Sequence, residues 1–235
     1  MKIKCVWEHN GEDTLLYSSN FVGAFTRGES KEIALSKMQN EVEAYLRWKQ
    51  GVSSENAEIS IEQEKVSTLD VCDADSDVIF EEEKKPLTME EYQELKALAL
   101  KSAEDFLKLY ESVPDKNVSS LEPRKCFLGL KPRTAEEMYV HTRSVNSYYF
   151  GEIGVDADNE GTIYECRKRG FELLEQQENF LDNQVIQGSY DEEWSVRKVL
   201  RRFIWHDRIH GKAMYRMALK TFGEGRCLDV FRFEG

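Results

Sequence analysis

The hydrophobic pattern of this chain changes period once, and the change falls on an acidic run that ends in proline. Up to about residue 70, apolar residues come in short β-rich runs broken by turn-forming residues. After Pro86 they recur at helical spacing through to the C-terminal region. Between the two lie Asp73-Ala74-Asp75-Ser76-Asp77 and Glu81-Glu82-Glu83-Lys84-Lys85-Pro86, a charge-rich stretch that reads as a linker. A calcium loop is the sharper reading of that stretch, but the glycine and terminal glutamate of such a loop are missing. The expected fold class is therefore α+β. A β-β-β-α-β domain covers residues 1–72, an acidic linker 73–86 and a four-helix bundle 87–235.

In the first part, Lys2–Glu8 and Thr14–Ser19 read as strands joined by the turn Asn10-Gly11-Glu12-Asp13, and Phe21–Thr26 as a third. From Ser30 to Lys49 the period becomes helical, with Ile33, Ala34, Met38, Val42, Tyr45 and Leu46 on one face and Gly51 closing the helix. Glu58–Leu69 returns to alternation, with Ile59, Ile61 and Val66 expected to point inward. After Pro86, three T-x-x-E boxes (Thr88 with Glu91, Thr134 with Glu137, Thr162 with Glu165) mark helix starts, where the threonine oxygen and the carboxylate can satisfy free backbone donors. They predict helices over 88–112, 134–150 and 162–182, and a fourth runs over 193–221 to stop at Gly223. Pro86 precedes the first of these helices, and Pro114, Pro123 and Pro132 fall in its long connection to the second, as a bundle requires.

The net charge of −12 argues against a dedicated nucleic-acid surface. Arg197, Lys198, Arg201 and Arg202 form a local basic group that reads as an exposed helix face. No run approaches the roughly 20 apolar residues of a membrane span, and the N-terminus lacks the apolar segment of a signal peptide. Cys5, Cys72, Cys126, Cys166 and Cys227 are odd in number and widely spread, which suits a reducing, cytoplasmic setting. Each reads as a small buried hydrophobe rather than a nucleophile.

Of the four histidines, His206 and His210 stand in Trp205-His206-Asp207-Arg208-Ile209-His210. Four residues turn a helix by about 400°, so both rings share nearly one face and can grip one cation. Val196, Val199, Leu200, Phe203, Met214 and Met217 lie on that same face, whereas Arg201, Arg208, Lys212 and Arg216 lie opposite. On the second predicted helix His141 shares a stripe with Met138, Val145, Tyr148 and Tyr149. Three inward imidazoles, in a bundle expected to hold few other buried polar groups, need partners or a shared ion. Three neutral histidines with an open position suit a reactive zinc or nickel site. No H-E-x-x-H signature is present. Asp207 reads either as an acceptor behind the metal ligands or as the partner of an inward arginine.

The run from Trp194 to His210, together with His141 on an earlier helix, resembles the DinB/YfiT-like superfamily over about residues 86–222. That resemblance implies a four-helix bundle whose divalent ion is held by His141, His206 and His210. It also implies thiol-dependent transfer chemistry, with bacillithiol or mycothiol as cofactor among characterised relatives. Residues 1–70 resemble the HicB-type antitoxin domain, on the element order and on Gly23-Ala24-Phe25-Thr26-Arg27-Gly28-Glu29-Ser30 leading into Ala34. That resemblance implies a protein-binding or dimerisation module. Two functional expectations follow. One is a metal- and thiol-dependent transferase acting on a small molecule. The other is a non-catalytic stress-response or regulatory protein with a structural metal and a protein partner.

Overall fold

The computed structural model describes residues 1–11, 13–52, 57–126 and 129–233. The chain is α+β, a small N-terminal sheet followed by helices, with five α-helices among the described residues. Strands β1 (Lys2–His9), β2 (Thr14–Ser18) and β3 (Phe25–Gly28) precede helix α1 (Lys31–Gln50), and β4 (Glu58–Val66) follows it. The sheet order is β3-β2-β1-β4, with β1 antiparallel to β2 and parallel to β4, so α1 makes the crossover. In the turn before β2, Asn10 and Asp13 hydrogen-bond to each other; its Glu12 lies outside the described residues. Ser30 caps α1 by accepting from the Ile33 amide, and Gly51 ends it in the left-handed conformation at φ 68°.

Three details of this part depart from the sequence reading. The third strand begins at Phe25, because residues 21–24 form a turn closed by the Ala24 amide on the Phe21 carbonyl. Ile33 lies in the first turn of α1 and is exposed, while Ala34, Met38, Val42, Tyr45 and Leu46 are buried as expected. Val66 is also exposed. It is the last residue of β4, an edge strand, opposite His9 at the end of β1.

The C-terminal part contains α2 (Met89–Ser112), the short hairpin β5 (Lys125–Cys126) and β6 (Gly129–Leu130), α3 (Ala135–Gly151), α4 (Ile163–Leu174), the strand pair β7 (Ile186–Gln187) and β8 (Glu193–Trp194), and α5 (Val196–Phe222). Thr88, Thr134 and Thr162 each form the reciprocal cap expected of them. Two boundaries move. Helix α4 ends at Leu174 rather than running to 182, because the chain turns through left-handed Asn179 and a short 3-10 turn over Phe180–Asp182. That turn sets the Phe180 ring 4.9 Å from Tyr92 and lets Leu181 accept the Leu87 amide. Helix α5 starts at Val196 because Glu193 and Trp194 pair with β7, which buries the Trp194 ring completely.

Helix α5 is the axis of the molecule. Leu200, Phe203, Met214 and Met217 share a core with α2, α3 and α4, while Trp205 and Ile209 pack under Val6, Leu15, Tyr17 and Phe25 of the sheet. The contact is close at Gly23 (φ 101°), where a Cβ would stand 2.3 Å from Ile204 Cγ2. With both sides covered, the expected exposed face survives only toward the C-terminal end of α5, where Arg216 is exposed and Lys212 half-buried. Arg201 and Arg208 are buried, as are Lys198 and Arg202 of the basic group predicted to face solvent. Arg201 is paired with Glu83, Arg208 with Glu41 (2.7 Å) and Lys198 with Glu192 (2.8 Å). The 73–86 run is likewise no solvated linker. Val78, Ile79 and Phe80 are buried, and Glu83 is held by Arg201, because this segment fills the angle between sheet and α5. No described helix is long and apolar enough to cross a membrane.

Candidate metal centre

Helix α3 carries His141 to the middle of α5, where His206 and His210 wait one turn apart. The ring centroids are 5.2 Å apart for His141–His206, 4.6 Å for His141–His210 and 4.3 Å for His206–His210. One nitrogen of each ring can be chosen so that all three lie within 4.8 Å of one another. An ion at about 2.0–2.1 Å from each nitrogen needs them no more than roughly 4.2 Å apart, so small side-chain rotations close the three onto one ion. The structure thus brings together all three histidines that the sequence singled out. The fourth, His9, stands apart at the end of β1, stacked on Trp7 at 3.9 Å and hydrogen-bonded to Glu64 at 3.0 Å.

Burial is graded across the three. His206 is 6% exposed, while His141 and His210 are half-buried, so one side of the cluster is reachable from solvent. The His206 Nδ1 is fully enclosed and has no hydrogen-bond partner among the described residues. Such an atom is costly to bury alone, and an ion would satisfy it if His206 coordinates through that nitrogen. Tyr149 packs edge-on against the His206 ring at 5.9 Å and limits its rotation.

The electrostatics keep all three rings neutral at ordinary pH. Burial depresses the His141 pKa. At His206 burial is again the largest cause, and the charges His210 and His141 would carry add to it, holding the group well below its usual range. For His210, burial first, then His141 and Arg27, lower it to about 3. A neutral imidazole offers its lone pair to a metal without first losing a proton.

Asp207, left open between two roles, is the partner of an arginine. Its carboxylate takes both Arg167 Nη1 and Nη2, with both side chains fully buried, and accepts from Ser102 Oγ at 2.5 Å. This ties α5 to α4 and α2 directly beside His206. The expectation of few other buried polar groups is therefore corrected, since α5 has charged partners along much of its length. Arg167 and Ser102 were missed in the sequence. Arg167 could have been found, because it sits in α4 among Ile163, Cys166, Gly170, Phe171 and Leu174, an arginine inside an apolar stripe.

The chain matches no family model, no curated protein and no solved structure.

Proposed function

We propose that this is a cytoplasmic divalent-metal-binding protein of the DinB type, in which His141, His206 and His210 hold zinc or nickel. In this reading α2, α3, α4 and α5 are the DinB-like four-helix bundle, and residues 1–72 are a HicB-like domain fused onto α5. The observation that carries it is the convergence of three neutral imidazoles from two helices, with one buried nitrogen left without a partner. The donor set fits a borderline ion that prefers nitrogen.

The activity we infer is transfer to or from a low-molecular-weight thiol such as bacillithiol or mycothiol. When bound, the ion would supply a positive charge that favours thiolate over thiol at neutral pH. The chain's own residues do the positioning. Tyr149 and the Arg167–Asp207 pair hold His206 and its helix in place, and the partial exposure of His141 and His210 defines the side from which a small molecule can approach. That accessible side favours a working site over one that only braces the fold.

Elemental analysis of tag-free protein tests the reading. One divalent ion per chain is expected, strongly reduced in His141→Ala, His206→Ala and His210→Ala and retained in His9→Ala. Equal metal content in His206→Ala and His9→Ala would refute the site.

A further inference from the structure

Although the chain carries a net charge of −12, one cavity of about 300 Å³ is lined by Arg124, Lys131, Arg133 and Lys220, with Glu122 as its one acidic lining residue. Its remaining walls are Leu121 and Pro132. Three elements are held together to form it. Arg133 Nη1 donates to the Leu121 carbonyl at 3.2 Å, the Lys131 amide donates to the Arg124 carbonyl at 2.9 Å, and Ser120 is tied to Thr221 near the end of α5 at 3.0 Å. Lys131 is paired with Asp73, which leaves Arg124, Arg133 and Lys220 against Glu122. Arg124, Arg133 and Lys220 against the single carboxylate of Glu122 leave the cavity with a net positive charge, which an anion offsets.

The cavity is related to the three histidines through two helices. Lys220 stands ten residues beyond His210 on α5, and Arg133 eight residues before His141 at the start of α3. At 1.5 Å per residue these are separations of roughly 12–15 Å along the helix axes. The basic character continues between the two places. Phe25 packs under Ile209, and two residues further along β3, on the same side of the strand, Arg27 follows. Arg216, one heptad after Ile209, shares that face of α5. Burial first, then the charges of Arg216 and Arg124, lower the pKa of Arg27, so the three guanidinium groups lie near one another.

We propose that the cavity lined by Arg124, Lys131, Arg133 and Lys220 binds a phosphate or carboxylate group, the far end of an anionic ligand whose reactive end lies at the three histidines. The second half of this statement rests on the metal reading above; the anion pocket does not. The ligand class is therefore an elongated small molecule with an acidic group roughly 12–15 Å from its reacting atom.

Inorganic phosphate is the probe, titrated calorimetrically into metal-loaded full-length protein. Saturable binding is expected, weakening as salt rises. The double variant Arg124→Gln/Lys220→Gln, both exposed side chains, should bind phosphate at least tenfold more weakly with metal content unchanged. No saturable binding, or equal binding by the variant, overturns the proposal. In cobalt-loaded protein, phosphorus relaxation measures the distance from phosphate to metal. A long separation supports the pocket, and direct coordination overturns it. His206→Ala separates the two ideas. If it loses metal and keeps phosphate affinity, both stand. If its metal content equals that of wild type, the metal reading fails while the phosphate titration still decides the pocket.

Discussion

Lowering the pH of the metal-free protein from 7 to 5 should cost stability through the neutral imidazoles of its three-histidine cluster. His210 has a folded-state pKa of about 3, against roughly 6.5 in an unfolded chain. Above pH 6.5 the group is neutral in both states and contributes nothing. As the pH falls, the unfolded chain takes up the proton and the folded chain does not, so stability declines until the folded pKa is reached. Integrating the linkage relation for His210 from pH 7 to pH 5 gives a loss of about 2 kcal/mol. His206 and His141, also depressed by burial, add to the loss in the same direction. Glu8 and Asp207, whose carboxyls are pushed up by burial, act oppositely. The informative measurement is therefore a difference. Urea unfolding in the presence of chelator, followed by tryptophan fluorescence at pH 7, 6 and 5, should show His210→Ala declining less than wild type. The gap should reach about 2 kcal/mol at pH 5, a large share of a typical domain's stability. Parallel declines would refute the claim that this histidine stays neutral in the folded protein.

Asp207→Ala should destabilise by about 3–5 kcal/mol in denaturant unfolding, since it strands a fully buried Arg167, and pairing it with Arg167→Met should recover much of the loss. Gly23→Ala should cost about 1–3 kcal/mol from the clash with Ile204, plus roughly 1 kcal/mol for its positive φ; Ile204→Ala in the same chain should restore part of it. Limited proteolysis should spare the 73–86 run, because Val78, Ile79, Phe80 and Glu83 are buried there; mass spectrometry showing first cuts in it would contradict that packing.

Much of the site was legible in the sequence because it depends on local rules. An i,i+4 pair lies on one helix face wherever that helix packs, so the pairing of His206 with His210 follows from spacing alone. The three capping boxes are equally local, and all three formed where their threonines stood. The element order β-β-β-α-β follows from runs of period two interrupted by one run of helical period.

What surrounds α5 was not legible, because it depends on which surface of another element covers each face. Sequence periodicity reports the more apolar side of a helix, and on α5 that side carries Leu200, Phe203 and Met214. The opposite side, with Arg201 and Arg208, reads as solvent-facing until a sheet is laid over it. Burial there is made tolerable by carboxylates more than a hundred residues away, Glu83 for Arg201 and Glu41 for Arg208. The same holds for Asp207, whose partner Arg167 lies on a different helix. Spacing and turn chemistry were enough for the main helices and strands, the three threonine caps and the two histidines that share a turn. It took the packing of distant segments to bring His141 to them, to bury the acidic run and to pair Lys198, Arg201 and Arg208 inside. Helical spacing is set by backbone hydrogen bonds within a few residues, whereas ion pairing in the core is set by the packing of distant segments.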